Sequence, residues 1–336
     1  MYAYKQYYNN SNLLLKENAF VLATQPTISS LVISTSDALN PYGWGETWQF
    51  DIDVKDDDQA VFNFEKLNVS LWINTTTGWK LLNTTICQAP NCKLTSTITY
   101  YNSFTCSDIG TRIFNVTATD YWNYTVSLTQ TQQIIKDDVK LYATSYPSSV
   151  DREGETVLLQ SRAYDQDKGE YVGSDVNGTV RITYDGTNYG SDINLLTDQN
   201  GYLSYYFNPD CSFSAGPQEW RMDVNDECYS SQTISGYVIK PITIYGQLKN
   251  NLQLPPHNSI FNVTDQISIR FNTTSDCSNE GLIPNASVSI ELISPEGQVE
   301  TCSPINNEYN GWYNCTWNST AKKEGYWSIR INATKE

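Results

Sequence analysis

Histidine, basic residues and long apolar runs are scarce in this chain, and each shortage excludes something. The only histidine is His257, in the loop LPPHNS, so a His-based triad and any multi-histidine metal site are ruled out. The 21 Lys and Arg face 37 Asp and Glu, a formal net charge of −16 that opposes phosphate backbones and anionic lipid, so nucleic acid is not an expected partner. The best apolar run, LLLKENAFVLA, is broken by Lys16 and Glu17 and falls short of the roughly 18 residues needed for direct membrane insertion. Met1 is followed by YAYKQYYNNSN, without the basic start and apolar centre of a signal peptide.

What the chain does hold is β-forming. With 24 Tyr and 9 Trp, and Val, Ile and Thr in short runs punctuated by Gly and Pro, the composition favours an all-β protein. A length of 336 residues suits two or three domains of about 100 to 150 residues. Acceptor triplets for N-linked glycans occur at Asn9, Asn68, Asn74, Asn83, Asn115, Asn123, Asn177, Asn262, Asn272, Asn285, Asn314, Asn318 and Asn332. Their abundance, with eight cysteines, points to an extracellular, oxidising location at the cell surface and to N-linked glycans as the only attached groups, with no cofactor.

Internal repetition organises the rest. Gly45-Glu46-Thr47-Trp48 recurs as Gly154-Glu155-Thr156-Val157, and Val263-Thr264-Asp265-Gln266-Ile267 takes the same place in a third unit. Each opens an alternating strand, with Trp48, Phe50, Ile52 and Val54 in the first and Ile267, Ile269 and Phe271 in the third. Acidic turns near Asp56, Asp165 and Asp276 follow, then a strand in which Val69, Leu71 and Ile73, or Val180 and Ile182, or Val288 and Ile290, face inward. Asn68, Asn177 and Asn285 are thereby expected on the outer face of that strand. Gly201 and Gly311 supply later turns, and Trp220 and Trp327 are expected inner-face anchors.

The stretches GETVLLQSRAYD and LLTDQNGYLSYYF carry a resemblance to tandem immunoglobulin-like or macroglobulin-like domains of prokaryotic, particularly archaeal, surface proteins. That resemblance implies three Ig-like β-sandwiches in an elongated rod, a structural or adhesive role, and no catalytic residues. The expected divisions are an extended segment at 1–18 and domains at 19–136, 137–240 and 241–336. Lys16, Lys136 and Lys240 each mark a join, and at Lys136 and Lys240 the last strand of one domain is expected to run directly into the first strand of the next.

Counted this way, the third unit lacks its last strand, while the N-terminal segment with Leu13, Leu14 and Leu15 has no sandwich to complete. Two readings fit: that segment completes the third domain of a neighbouring copy, giving a head-to-tail filament, or the sequence belongs to a longer array of an adhesin, stalk or S-layer protein. The partners implied are other copies of the chain, surface glycans or other cells.

Cysteine spacing suggests hairpin staples Cys92–Cys106, Cys211–Cys228 and Cys302–Cys315. Cys87 and Cys277 are left over, either to bridge neighbouring subunits or to pair locally, as Cys87 with Cys92. The paired turn acids Asp56 with Asp58 and Asp165 with Asp167 are the sole candidates for Ca²⁺; no complete ligand loop is present, and solvated acids are the expectation. Trp72, Tyr100 and Tyr101 are the candidate sugar-stacking aromatics. No spacing among the acids singles out a catalytic pair, so the chain is not expected to be an enzyme.

Overall fold

The computed structural model describes residues 14–38, 41–154, 156–231 and 237–335. They fall into two compact units, one running to Asp138 and taking in 165–169 and 227–230, the other holding the remainder. Among these residues the regular elements are strands, apart from short 3-10 segments at Asp57–Ala60 and Cys106–Asp108.

In the first unit, β1 (Thr27–Thr35), β2 (Trp48–Lys55) and β5 (Ser96–Asn102) form a sheet in the order β1-β2-β5. The strands β3 (Lys66–Thr75), β4 (Gly78–Gln88), β6 (Gly110–Thr119) and β7 (Thr125–Ile134) form a second, ordered β4-β3-β6-β7. Alternation explains how they stack: Trp48, Phe50, Ile52 and Val54 of β2, Val69 and Leu71 of β3, and Phe114, Val116 and Ala118 of β6 are all fully buried in one core. The sheets therefore form a sandwich.

A second pair of sheets is built from β8 (Asp137–Ser145), β9 (Ser149–Asp151), β10 (Val157–Asp165), β11 (Glu170–Tyr171), β12 (Asn177–Ile182), β13 (Ile193–Leu196), β14 (Tyr202–Phe207), β15 (Gly216–Val224), β16 (Tyr229–Ser231) and β17 (Val238–Tyr245). Their orders are β11-β10-β8-β16, with β14 also on β10, and β13-β12-β15-β17-β9. Gly178 of β12 marks where the layers meet, since a Cβ there would lie 2.6 Å from Leu203 Cδ1 of β14. Trp220 fills this core, fully buried, as expected of an inner anchor.

The third pair comprises β18 (Leu248–Leu254), β19 (Gln266–Ser275), β20 (Ser287–Ile293), β21 (Val299–Thr301), β22 (Asn306–Asn307), β23 (Trp312–Asn318) and β24 (Ser328–Thr334), ordered β18-β19-β23-β22 and β21-β20-β24. Ile269 and Phe271 are fully buried, whereas Trp327 is only half-buried, against Trp317. Gly201 and Gly311 sit in turns at φ 79° and 85°, where a side chain would be strained.

Three expectations need correcting. Lys240 does not mark a join: it lies inside β17, which pairs with β15 over Gly216–Met222, and the next strand starts only at Leu248. The apolar alternation of VIKPITIY continues past the lysine because Ile242 and Ile244 still belong to the preceding core. Asn285 is exposed but lies in a turn ahead of β20, at φ 58°, and not on the strand that Asn68 and Asn177 occupy in their own sheets. Tyr100 is not an outward ring: it is 6% exposed and its hydroxyl donates to the Val69 carbonyl at 2.8 Å.

The disulfides also differ from the spacing argument. The bonds are Cys87–Cys92, Cys106–Cys228, Cys211–Cys277 and Cys302–Cys315, so neither Cys92–Cys106 nor Cys211–Cys228 forms, and no thiol remains for a Cys87 to Cys277 bridge between subunits. Cys106 and Cys211 each occupy the loop ahead of a long central strand, β6 or β15, and reach partners 122 and 66 residues away. Local spacing is blind to such contacts.

Candidate functional site

The leading end of each sheet pair, where its first strand begins, is acidic. In the first pair Thr27 of β1 lies opposite Lys55, so Asp56 follows directly at that end. In the third, Leu248 of β18 lies opposite Ser275, which puts Asp276 there. The three ends handle their charge differently.

At the third, the Arg152 side chain is fully buried. Its Nη2 donates to Asp276 Oδ1 at 2.8 Å, Glu280 Oε2 at 2.9 Å and Ser275 Oγ at 3.1 Å; Nη1 donates to Glu280 Oε1 at 2.7 Å and the Phe213 carbonyl at 2.9 Å; Nε donates to Asp276 Oδ2. Bonding to Glu280 raises the guanidinium further above its ordinary value, and bonding to Arg152 holds Glu280 low and overcomes the burial that would push Asp276 up. Gly246 leaves the space required, since a Cβ would stand 2.4 Å from Nη2. Cys211–Cys277 closes over the same place. Nothing in the DREGET turn signalled this arginine.

Around Asp137, at the start of β8, six carboxylates gather. Lys168 Nζ donates to Asp137 Oδ2 at 2.9 Å and to Asp165 Oδ2, and lies 3.6 Å from the Trp44 ring centre. Trp44 donates to the Cys228 carbonyl, and Glu46 accepts from the backbone of Gly43 and Asp37. One oxygen each of Asp37, Asp138 and Asp167 lies within 4.8 Å of the others, as does one each of Asp137, Asp165 and Asp167. Burial, then neighbouring carboxylates, push Asp167 to about 6; burial also lifts Glu46, and lifts Asp137 well above the carboxylate range despite its bond to Lys168. Of the expected calcium residues, Asp165 is thus committed to Lys168, while Asp167 joins Asp37 and Asp138, which no sequence period singled out.

The other expected pair, Asp56 and Asp58, meets Glu65 and Asp120, all four no more than 5% exposed. Asp56 Oδ1 accepts from Asp58 N at 3.1 Å, Glu65 Oε1 from Tyr121 N at 2.7 Å, and Asp120 Oδ1 from Tyr124 N at 2.8 Å. The second oxygen of each is buried with no partner. Asp58 instead has both oxygens occupied by Thr24, through its backbone N at 3.0 Å and its hydroxyl at 2.8 Å. No ion pair reaches these carboxylates among the described residues. Burial, followed by the charges of Glu65, Asp58 and Asp120, raises Asp56 to about 6, and burial lifts Glu65 and Asp120 as well. Phe62, Phe64, Tyr121 and Trp122 cluster nearby, with Phe64 and Tyr121 half in solvent.

The glycan acceptors divide by exposure. Asn68, Asn123, Asn177, Asn262, Asn285, Asn318 and Asn332 are exposed, whereas Asn74, Asn83, Asn115, Asn272 and Asn314 are half-buried within strands; Asn9 and Leu13 lie outside the described residues. Leu14 and Leu15 are exposed. Tyr101 is exposed, Trp72 is half-buried with its indole N–H on Thr117, and His257 is an exposed loop residue.

The third pair has an open flank. In β6, Phe114, Val116 and Ala118 are fully buried, and in β15 Trp220, Met222 and Val224 are at most 2% exposed; β7 and β17 cover those strands. The corresponding strand β24 pairs with β20 on one side, and among the described residues nothing pairs with its other edge. Its inward residues Ile329, Ile331 and Ala333 are only half-buried.

The sequence matches no protein-family model and no curated protein. Among solved structures, it is similar to a tetra-tandem repeat in the extending region of a large adhesion protein, at a TM-score of 0.39 and 13% identity over 92% of this chain and 75% of that one. Invasin, a bacterial integrin-binding protein, gives 0.36 and 11% over 90% of this chain and 56% of its own. An Escherichia coli alpha-2-macroglobulin gives 0.28 and 11%, over 90% of this chain and 31% of that one.

Proposed function

We propose that this chain is a structural segment of a glycosylated cell-surface protein of the adhesin or stalk type, made of three Ig-like sandwiches in tandem and joined to its neighbour by a strand added along β24. The open flank of the third sheet pair carries this reading. A sheet edge with half-buried Ile329, Ile331 and Ala333 is a template for strand addition, which supplies backbone hydrogen bonds along the edge and seats alternate side chains over the core. Four disulfides and seven exposed acceptor asparagines support the extracellular setting.

The donor proposed is the segment that includes Leu13, Leu14 and Leu15 of a second copy, giving a head-to-tail filament with no enzymatic role. Deleting residues 1–16 is expected to abolish filaments seen by negative-stain electron microscopy and to leave a monomer that binds the synthetic 1–18 peptide. Filaments from the deleted protein would sink self-donation. A monomer that ignores the peptide, yet becomes protected when the chain is extended beyond residue 336, would favour the longer array.

A further inference from the structure

The outer face of the β4-β3-β6-β7 sheet is uncharged, although the chain holds 37 acidic and 21 basic residues. Across the rows that run from Asn68 to Asn74, the outward side chains of β3, β4, β6 and β7 are Asn, Ser, Thr, Trp, Leu and Ile only. The repeat-equivalent strands differ: around β12, Arg181 pairs with Asp192 and Arg221 with Asp223, and around β20, Arg330 pairs with Glu291. On β4, the edge strand of the uncharged sheet, Trp79 and Ile86 are each 52% exposed and Leu81 is 43% exposed. Such an edge invites other chains to pair with it unless something covers it.

Register places three acceptor asparagines on that face, each directly opposite an apolar side chain: Asn74 opposite Trp79, Asn68 opposite Ile86 and Asn115 opposite Trp72. Opposite residues of neighbouring strands have Cβ atoms about 4.5–5.5 Å apart, so the first sugar on such an asparagine comes within reach of its neighbour. The carboxamides are held differently. Asn68 Oδ1 accepts from Thr84 Oγ1 at 2.9 Å and Asn74 Oδ1 accepts from the Ile113 backbone N. In both the oxygen does the holding, and the nitrogen is the atom to which an N-linked sugar attaches. Asn115 Oδ1 is instead buried without a partner, and Asn83 of β4 has its Nδ2 committed to the Tyr101 carbonyl at 3.3 Å. Geometry therefore favours Asn68 and Asn74.

We propose that Asn68 and Asn74 carry N-linked glycans, and that the first sugar on Asn74 lies flat on the Trp79 indole. A pyranose ring presents a face of C–H bonds, which packs on the electron-rich face of an aromatic ring. The hydrophilic side of the glycan then stands where other sheets carry charge, and its bulk keeps the β4 edge from pairing with other chains. The occupant follows from the face itself, because the sugar is rooted there covalently and meets apolar and hydroxyl-bearing neighbours without any charge to desolvate. This inference rests on the reading of the chain as glycosylated, and adds which acceptors are used and what the sugar touches.

The test maps glycopeptides by mass spectrometry on the full chain isolated from its own cells. Sugar is expected on Asn68 and Asn74, with Asn83 bare. Thr76→Ala removes the acceptor triplet at Asn74 while keeping the bond from Ile113 N, and should lower the Tm of the first unit by about 2–4 °C. In a Trp79→Ala background the same substitution should shift Tm by less than about 1 °C, because the ring beneath the sugar is gone. In protein made without glycans it should change nothing. Equal losses with and without Trp79, or an equal loss in glycan-free protein, would overturn the stacking. Sugar on other acceptors with Asn68 and Asn74 bare would overturn this inference and leave the glycosylated reading standing, whereas a chain bare at every acceptor would overturn both.

Discussion

At the leading end of the third sheet pair, Asp276 and Glu280 hold a buried arginine between them; at the leading end of the first, Asp56, Asp58, Glu65 and Asp120 are buried with backbone N–H groups and one threonine as the only donors among the described residues. Both ends gather carboxylates at the same point of a sandwich, fully enclosed in the first and half-buried in the third. Only one of them brings in the opposite charge. The consequence is visible in proton affinity: Glu280 and Asp276 are held low by Arg152, while Asp56, Glu65 and Asp120 are pushed up, chiefly by burial. A guanidinium bonded to both acids accompanies the low pair, and burial without a cation accompanies the raised group.

The widest test of this contrast removes the arginine. Arg152→Ala leaves two carboxylates facing each other in a closed site, and breaking a buried pair from one side costs about 3–5 kcal/mol. Urea denaturation of the second unit should show that loss. Arg152→Lys should recover only a part, because an ammonium cannot reproduce the forked bonds to Asp276 and Glu280. A loss under about 1 kcal/mol in Arg152→Ala would mean that water replaces the guanidinium, and the two ends would cease to differ.

The covalent staples at these ends sharpen the comparison. Cys211–Cys277 spans 66 residues and Cys87–Cys92 spans five, so the chain-entropy relation assigns about 4 kcal/mol to the first and about 2 to the second. Replacing Cys211 and Cys277 together by serine should therefore lower stability roughly twice as much as replacing Cys87 and Cys92. Equal losses would show that native-state packing, not loop closure, sets their value.

Acid should move the two units in opposite directions. Asp56 binds its proton more tightly folded, at about 6, than unfolded, near 3.8, so its contribution is fully present below the lower value and is lost as pH rises through the higher. The first unit is expected to gain Tm between pH 7 and pH 4. Asp276 and Glu280 are depressed, so the second unit holds its stability above about pH 4 and loses it on further acidification. Asp56→Asn keeps the acceptor for Asp58 N without the charge, and should raise the Tm of the first unit at pH 7 while flattening its pH slope. Scanning calorimetry that finds one slope for both transitions would remove the distinction.

How far the sequence foretold these ends depends on the range of the contacts involved. The alternation through Trp48, Phe50, Ile52 and Val54 is local, and so it was legible. Asp165 and Asp167 were visible as turn acids. Their partners Asp37 and Asp138 were not, since a loop and a strand start meet there only through the fold. The same holds for Arg152 and for Cys106, whose partner is 122 residues away: chain spacing favours short staples, and tertiary closure overrides it.

The smallest effect concerns Thr24, and it bears on why Asp58 differs from its three neighbours. Its carboxylate alone in the group has both oxygens bonded, one of them by the Thr24 hydroxyl at 2.8 Å. Thr24→Ala removes that donor and leaves the backbone N–H, so the expected loss is about 1 kcal/mol or less, because exposed Thr24 lets water take the vacated position. Thr24→Pro removes both donors and leaves the buried Asp58 carboxylate without them, so its loss of stability should exceed that of Thr24→Ala in urea denaturation at pH 7. If Thr24→Pro unfolds at the parent's urea midpoint, Asp58 is held by solvent and not by the strand's lead-in. The unneutralised group would then comprise all four carboxylates, in sharper contrast still with the arginine-filled end.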